Sequence, residues 1–311
     1  MQLAQAKQPR AGGESMSAKR KRDHISFSQI DQYCKCGIKY FLYYEEGITI
    51  PSSTSLVLGT TYHKALEVNH SQKIDSGTDL PLSDLQECSA NGIEEAFKED
   101  ILLSEDEKHK GKTGARDLLI RRSDAALKAY REELALNIQP LEVEKFFKIP
   151  LQDDLPPLVV VIDLITQDMR VVDNKTSSKK PPENVADESI QLSAYALAFK
   201  NQYGMVPTGL ELQHTVVTAK TLSATTVTTK TTRTDEQLDH FKLRLQMVVD
   251  GIRKRVAIPP SQGDWQCKSC GYRELNYCPL YKRKYPVEEI PSYGSLLGQG
   301  SSHVQLPVEW F

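Results

Sequence analysis

The sequence has no long hydrophobic run, no apolar leader and no strong excess of either charge. No apolar stretch approaches the roughly 18 residues that a membrane-spanning helix needs, so no membrane association is expected. The first 23 residues are basic and polar and lack the apolar core of a secretory leader, which predicts an intracellular protein. A net charge of -2 gives no overall sign of nucleic-acid binding, so such a function would depend on local charge.

Local basic clusters are present despite the balanced total. They lie at 18–23, 175–180, 252–255 and 281–285. Each cluster alone is typical of a solvated surface, but clusters on one face attract phosphates even when a protein is neutral overall. Composition therefore leaves nucleic-acid binding open.

The order of patterns along the chain predicts one domain between two tails. Residues 1–23 are expected to be a disordered basic tail, and residues 286–311, with glycines, serines and prolines, a flexible one. The single domain between them, 24–285, is expected to contain a helical insertion at about 70–138, a sheet core at about 139–255 and a cysteine segment at 256–285.

Helix signals dominate the first half of the domain. Ser28 is expected to cap the first helix, and a turn at Gly59 is expected to open the helix that carries His63. Two amphipathic helices are predicted at 82–103 and 115–137, and the polar stretch between them is predicted to be a loop.

Strand signals dominate the second half, where apolar residues alternate with polar ones. The segments "LEVEKFFKIPL", "PLVVVIDLI" and "MRVVDNK" are predicted to be strands, the last two as an antiparallel hairpin. A helix ending at Gly204, a strand "GLELQHTVVTA", an exposed threonine-rich strand and a long helix capped at Thr234 or Asp235 follow. These elements indicate an α/β sheet core preceded by helices.

A carboxylate and an amine stand two residues apart at the end of the predicted hairpin. Asp173 and Lys175 project to the same face, while Asn174 faces away and leaves its carbonyl available. The short turn is expected to bring Asp163 close to Asp173, and two such carboxylates repel unless a cation such as Mg²⁺ or Mn²⁺ lies between them. The structural alternative is that these acids form strand-end ion pairs with Lys175 or Arg170.

Five of the six cysteines fall into two groups near the ends of the predicted domain. Cys267, Cys270 and Cys278 form a CxxC pattern with a third thiol, and a fourth metal ligand would come from Cys34 or Cys36. Thiolates suit zinc and iron–sulfur clusters equally by geometry alone. Ligands so far apart would tie the C-terminal segment to the first helices.

Several motifs in a fixed order resemble those of a known family. They are "GTTYH" at 59–63, "VVVIDLI" at 159–165, "RVVDNKTS" at 170–177 and "QLSAY" at 191–195. This order resembles the PD-(D/E)xK nuclease superfamily, and specifically its RecB-like branch with GxxxH and QxxxY motifs. The resemblance spans most of the chain and implies a restriction-endonuclease-like α/β core, a central mixed sheet flanked by helices.

The resemblance implies a role for each residue of the hairpin motifs. His63, Asp163, Asp173 and the Asn174 carbonyl would bind Mg²⁺ or Mn²⁺. The two aspartates and Lys175 would be catalytic, because a bound cation polarises a phosphate and acidifies a water while the amine orients that water or stabilises the developing charge.

Residues around these motifs receive supporting roles. Gln191 and Tyr195 share a helix face and would hold the catalytic lysine or contact the DNA strand. Lys179 and Lys180 are candidates for holding the DNA backbone. Val161 departs from the family, which usually has glycine there, and its branched side chain is expected to narrow the space beside the metal.

One cysteine before and three after such a core resemble the iron–sulfur nucleases of the AddB and CRISPR-associated RecB-like groups. The resemblance implies a structural four-iron four-sulfur cluster held by Cys36, Cys267, Cys270 and Cys278, with zinc as the alternative. It also implies a DNA exonuclease that acts on single-stranded ends in recombination, repair or CRISPR-type DNA processing, in the cytoplasm or at the nucleoid. A recombination or CRISPR protein would be its partner.

Two other functions fit the same motifs. A nuclease-fold protein that has lost catalysis would bind DNA or a partner as a structural module, although the intact motif residues argue against it. An endonuclease whose cysteines bind zinc instead of an iron–sulfur cluster would act on structured DNA.

Overall fold

A computed structural model describes residues 23–151, 154–218, 221–261 and 263–281. The two predicted tails lie outside these ranges, except for residue 23. In chain order the elements are β1 Ile25–Ser26, α1 Phe27–Lys35, α2 Gly37–Tyr40, a π-helical turn Phe41–Glu45, β2 Ser52–Ser53, α3 Thr54–Ser76, α4 Leu82–Ala96, β3 Ile101–Leu102, α5 Glu105–Lys108, α6 Gly111–Glu133, a 3-10 turn Ala135–Asn137, β4 Pro140–Ile149, β5 Leu158–Thr166, β6 Arg170–Ser177, α7 Ile190–Tyr203, β7 Gly209–Val217, β8 Ala224–Thr231, α8 Asp235–Arg253, α9 Trp265–Lys268 and α10 Gly271–Glu274.

A six-stranded mixed sheet lies at the centre of the described chain. One edge of β5 pairs antiparallel with β4, and its other edge pairs parallel with β1 at its start and antiparallel with β6 at its end. β6 then pairs parallel with β7, and β7 antiparallel with β8. The predicted β5–β6 hairpin and the mixed sheet are therefore confirmed.

Helices cover both faces of the sheet, as predicted. On one face α1, α7 and α8 pack apolar side chains such as Ile30, Phe199 and Leu245 against the strands. On the other face α3, α4 and α6 contribute side chains such as Leu66 and Leu127. Burying one such side chain contributes about 1.5–3 kcal/mol, so the two cores hold the strands in register. None of the helices in the described ranges is long and apolar enough to span a membrane.

Helix α7 makes the crossover that a parallel β6–β7 pair requires. The Ser189 hydroxyl caps its start by accepting a hydrogen bond from the N–H of Leu192 at 3.2 Å. Gly204 ends the helix with φ 73°, a left-handed conformation that glycine adopts without strain. The predicted end at Gly204 is confirmed, and so is the cap of α8, which Thr234 provides.

Two predictions about helix starts are wrong. Ser26 caps α1 and forms a capping box with Gln29, so Ser28 already lies inside the helix. Gly59 forms no turn, because it lies within α3, which begins five residues earlier behind the cap of Ser53. The sequence does not distinguish a glycine inside a helix from a glycine in a turn. The residue that caps α3, Ser53, lies upstream of Gly59.

The polar stretch between the two amphipathic helices is only partly a loop, which corrects a third prediction. It contains α5 and the first residues of α6, and Ser104 and Glu107 form a capping box at the start of α5. Helix α4 ends earlier than predicted and α6 begins and ends earlier. Charged residues that favour loops by composition also favour helix starts, and the caps decide between the two.

The first helices meet the segment that follows α8. The N–H of Gly37 donates a hydrogen bond to the carbonyl of Ile258 at 2.8 Å. A Cβ on Gly37 would lie 2.8 Å from the backbone nitrogen of Ile258, so this close approach requires glycine. The hydroxyl of Tyr33 donates to the carbonyl of Val256 at 2.6 Å. The first helices and the segment after α8 are thus held together by hydrogen bonds.

Candidate active site

Two aspartates meet at the end of the β5–β6 hairpin. Leu164 pairs with Val172, which sets Asp163 across from Asp173. The Tyr195 hydroxyl lies between them, 3.1 Å from Oδ1 of Asp163 and 3.3 Å from Oδ1 of Asp173. The structure therefore brings the two carboxylates together, as the hairpin pattern predicts.

Lys175 links this pair to helix α7. Its Nζ lies 2.7 Å from Oδ2 of Asp173 and donates a hydrogen bond to Oε1 of Gln191 at 2.9 Å. Nε2 of Gln191 donates to the Tyr195 hydroxyl at 2.8 Å. The glutamine and the tyrosine thus hold the lysine and the aspartates in place, which is the first of the two roles that the QxxxY motif suggests.

His63 reaches the hairpin from α3. Its Nδ1 lies 3.2 Å from Oδ2 of Asp163, and the N–H of Asn174 donates to the same oxygen at 3.2 Å. Gly59, one turn before His63, faces the end of β6, where a Cβ would meet only Oγ1 of Thr176 at 3.9 Å. The glycine therefore leaves space beside the site, although it forms no turn.

The remaining residues of the predicted site lie at its margins. The Asn174 side chain is buried, and its Oδ1 has no hydrogen-bond partner within the described ranges. It projects from the strand face opposite to its two neighbours, so only its main-chain carbonyl is available as a ligand, and that role stays a prediction. Lys179 and Lys180 are exposed beyond the end of β6, where a polyanion can reach them.

Burial and charge act in opposite directions on these groups. Burial and the nearby Asp163 carboxylate raise the pKa of Asp173 to about 6. Burial opposes the charged form of Asp163, but the hydrogen bond and charge of His63 and the charge of Lys175 lower its pKa. Burial also opposes the charged form of Lys175, yet the two aspartates raise its pKa, which keeps the amine protonated.

A third carboxylate, which the sequence did not single out, lies beside His63. His63, Glu144 and Asp163 each offer one ligand atom, and these three atoms lie within 4.8 Å of one another. Desolvation and the Asp163 charge raise the pKa of Glu144 to about 7. Imidazole nitrogen and carboxylate oxygens are ligands that Mn²⁺ and Mg²⁺ sites use, so this group of residues fits the metal that the motifs imply.

Glu144 gave no local signal in the sequence. It lies in β4, within the charged stretch "EVEK", where three of four residues are acidic or basic. Its position opposite Asp163 depends on the register of β4 against β5, and the connection between these strands leaves that register open. Only the paired sheet shows which of the charged side chains faces the hairpin.

An exposed apolar pair flanks the carboxylates on the β4–β5 ribbon. Phe146 and Val161 are paired across the two strands, and they are 58% and 41% exposed. Val161 lies two residues before Asp163 and therefore on the same strand face, roughly 7 Å away. The valine that replaces the family glycine thus forms, with Phe146, an apolar surface beside the site.

Four cysteines converge where the two ends of the described chain meet. Cys36, Cys270 and Cys278 pack into one small apolar cluster. Burial raises the pKa of the Cys36 and Cys278 thiols, and the neighbouring thiols, including Cys270 for both and Cys267 for Cys278, raise it further. Cys34 is exposed. Of the two candidates for the N-terminal ligand, the structure brings Cys36 to the other cysteines.

A comparison with family models identifies the family of the chain. The family model described as the PD-(D/E)XK nuclease superfamily matches residues 24–279. Among solved structures, the chain is similar to a protein from Eubacterium rectale described as "Putative exonuclease", with 12% identity, 92% of this chain and 99% of that chain covered, and a TM-score of 0.48. It is also similar to SSO0001, with 12% identity, coverages of 81% and 95%, and a TM-score of 0.32. No curated protein matches the chain.

Proposed function

Because the chain belongs to the PD-(D/E)XK nuclease superfamily, we propose that it is a metal-dependent DNA exonuclease of the RecB-like branch. One observation carries the proposal: Asp163 and Asp173 share the Tyr195 hydroxyl, and each also contacts a basic side chain, His63 for Asp163 and Lys175 for Asp173. An isolated strand-end ion pair would not need a buried network of this kind. A buried and a partly buried carboxylate beside a single amine and an imidazole also leave a site that a cation would neutralise.

The side chains divide the proposed reaction between them. When bound by His63, Asp163 and Asp173, a divalent cation would lower the pKa of a water and offset charge on the scissile phosphate. Lys175, which the aspartates keep protonated, stabilises negative charge that develops on the phosphate. The Tyr195 hydroxyl carries one proton and lies between two carboxylates, so it holds them at a fixed spacing.

The proposed substrate is a single-stranded DNA end. An exposed Phe146 beside the carboxylates offers a face on which an unpaired base can stack, whereas a paired base is already stacked within the duplex. Lys179 and Lys180 are exposed at the end of β6 and can contact the phosphate backbone. The exonuclease mode follows from the resemblance to RecB-like nucleases, and so does a role in recombination, repair or CRISPR-type DNA processing with a protein partner.

The proposed second cofactor is a structural four-iron four-sulfur cluster on Cys36, Cys267, Cys270 and Cys278. Four thiolates on one zinc ion, with bonds of about 2.3 Å, lie about 3.8 Å apart. The resemblance to iron–sulfur nucleases, with one cysteine before the core and three after it, favours the cluster over a zinc ion.

Digestion of end-labelled single-stranded DNA with Mn²⁺ tests the proposed activity. The wild type is expected to shorten DNA labelled at one end, and Asp173→Asn and Lys175→Ala are expected to abolish this cleavage. Asp168→Asn is the matched control, because Asp168 is an exposed acid in the turn of the same hairpin. Labels at the 5′ and 3′ ends give the polarity.

Three outcomes would contradict parts of the proposal. DNA binding without cleavage in the wild type would indicate an inactive nuclease-fold module. Cleavage of circular single-stranded DNA would indicate an endonuclease, because a circle offers no end. Colourless, zinc-loaded protein after anaerobic purification would refute the iron–sulfur cluster, which gives visible absorption.

A further inference from the structure

Arg233 is a buried cation in the short connection between β8 and α8. It is 5% exposed, and within the described ranges its guanidinium forms no ion pair and donates only to carbonyl and hydroxyl oxygens. A buried charge is costly unless its donors are satisfied, and the N–H groups of a guanidinium lie in one fixed plane. Loss of this side chain would therefore leave several oxygens without a donor.

The oxygens that bind Arg233 belong to segments that are separate in sequence. Six of them accept hydrogen bonds at 2.9–3.1 Å, and they belong to Ala186, Asp187, Ser189, Ser193, Thr231 and Thr232. Three are main-chain carbonyls just before α7, one is a hydroxyl inside α7, and two lie at the end of β8. Arg233 therefore joins the start of α7 to the end of β8.

The first turn of α7 is the part of this helix that contacts Lys175. Ser189 caps the helix, and Gln191, two residues later, accepts a hydrogen bond from Lys175 at 2.9 Å. The Ser193 hydroxyl accepts from Arg233 and donates to the carbonyl of Ser189 at 3.3 Å. Since Lys175 is held in β6, a shift of this turn would break the bond between the lysine and the glutamine.

From these contacts we propose that Arg233 is a positioning residue of the nuclease site, which fixes the first turn of α7 so that Gln191 holds Lys175. The inference rests on the proposed function and adds a residue that lies outside the motifs. Within the described ranges Arg233 forms no hydrogen bond with the aspartates or the lysine of the site, so it acts through α7. A misplacement of about 1 Å costs on the order of 100-fold in rate, so the effect belongs in kcat.

Two substitutions test the proposal through kinetics and hydrogen exchange. Arg233→Met removes every donor, and Arg233→Lys keeps the charge but loses the planar set of N–H groups. Both are expected to lower kcat on single-stranded DNA by roughly 10- to 100-fold and to change KM by less than about twofold. Amide hydrogen exchange, measured without DNA, is expected to become faster at 186–195 and to keep its wild-type rate in α3.

Chemical rescue separates positioning from a loss of stability. Arg233→Ala leaves a space in which a free guanidinium ion can make the same hydrogen bonds. Guanidinium at millimolar concentration, far below the molar range in which it unfolds proteins, is expected to restore kcat by roughly tenfold, whereas NaCl at the same concentration is not. A protein that is only destabilised would gain nothing from a denaturant.

Arg131→Met is the matched control, because Arg131 lies on α6, on the opposite face of the sheet. Its Nε donates to the carbonyl of Leu80 at 3.4 Å, and its Nη1 lies 3.7 Å from Oδ2 of Asp79. The control variant is expected to melt at a lower temperature than the wild type and to keep the wild-type kcat.

The possible results separate this proposal from the exonuclease. A wild-type kcat in Arg233→Met, an equal loss in Arg131→Met, or equal effects of guanidinium and NaCl on Arg233→Ala would overturn the positioning role. Faster exchange confined to 186–195 would support it even if the wild type cleaves no DNA, in which case only the exonuclease proposal fails. Unchanged exchange there would overturn it. Where Arg233→Met does not fold, Arg233→Lys decides by the same measurements.

Discussion

Gln191 connects two groups of the candidate site, because its oxygen accepts from Lys175 and its nitrogen donates to Tyr195. Gln191→Met keeps the volume but removes both bonds, and a hydrogen bond to a charged group contributes about 1.5–3 kcal/mol. We expect kcat on single-stranded DNA to fall by roughly 10- to 100-fold and KM to change less than about twofold. Steady-state digestion measures both constants.

The matched control for this positioning role lies on the same helix. Gln202 is exposed near the end of α7, and Gln202→Met is expected to leave kcat and KM as in the wild type. A change in KM alone for Gln191→Met would indicate contact with DNA instead of positioning of the lysine.

His70 shows how burial sets the charge of a residue away from the site. Its Nε2 lies 2.5 Å from the hydroxyl of Tyr130, between α3 and α6. Burial lowers its pKa to about 4, against about 6.5 in an unfolded chain. Between these values the unfolded chain binds a proton that the folded chain does not. The contribution of His70 to stability is therefore complete above pH 6.5 and is lost as the pH falls toward 4.

Unfolding by guanidinium at pH 7.5 and at pH 5 measures this contribution. Protonation of His70 in the unfolded chain is expected to lower the free energy of unfolding of the wild type at pH 5 by on the order of 2 kcal/mol, relative to pH 7.5. Glutamine does not titrate, so the difference between the two pH values is expected to be smaller by this amount in His70→Gln. His109→Gln, at an exposed histidine, is expected to retain the wild-type difference. The same difference in His70→Gln as in the wild type would contradict the assignment.

At the scale of single residues, the sequence predicts the contacts between residues that are close together in the chain. Asp173 and Lys175 share a face because strand side chains alternate, and a short turn sets Asp163 opposite. Gln191 and Tyr195 share a helix face for a similar reason. Glu144 could not be found in this way, because its place depends on pairing between two strands whose register only the folded sheet fixes.

Among the elements, β4 carries an exposed aromatic beside the carboxylates. Phe146→Ala removes the proposed stacking face, and stacking of one base contributes about 1–3 kcal/mol, so affinity for single-stranded DNA is expected to fall by roughly 5- to 150-fold. Affinity for duplex DNA is expected to change little. Fluorescence anisotropy in Ca²⁺, with labelled oligonucleotides, measures both.

Leu141 provides the control for this prediction. It lies on the same strand and is 40% exposed, but it is five residues from Phe146. Leu141→Ala is expected to bind both substrates as the wild type does. Equal losses of single-stranded and duplex binding in Phe146→Ala would contradict the stacking role.

The elements also show where sequence patterns reach their limit. The β5–β6 hairpin and α7 were predicted because alternation, a turn and Gly204 are local signals. Gly59 predicts a turn at the start of α3, but the helix begins at Thr54 behind the cap of Ser53, and the glycine lies inside it. Composition predicts a loop at 105–108, because it does not report the capping box that starts α5.

At the scale of the whole molecule, the cysteines join segments that are far apart in sequence. Cys36 also caps α2, since its Sγ accepts a hydrogen bond from the N–H of Lys39 at 3.4 Å. Cys36→Ser keeps a capping oxygen, so any loss of stability reports the ligand and not the cap. We expect it to lose the visible absorption and to lower the melting temperature by roughly 5 °C or more.

Cys34→Ser is the control for the proposed role of Cys36 as a ligand of the cluster. Cys34 is exposed two residues away, so its variant is expected to keep both the absorption and the melting temperature of the wild type. Equal effects in Cys34→Ser and Cys36→Ser would contradict the ligand assignment. Anaerobic absorption spectroscopy and thermal melting measure the two properties.

The parallel pairing of β1 with β5 sets the order in which the chain can assemble during synthesis. Ile25 pairs with Leu158, which leaves the ribosome about 130 residues later. At about 5–20 residues per second, the first strand and the apolar face of α1 wait roughly 7 to 27 s for their partner. The helices of the opposite face emerge in that interval and can pair among themselves. Chaperones that shield nascent chains are therefore expected to matter most for the first two dozen residues of the described chain, well before the cysteines meet.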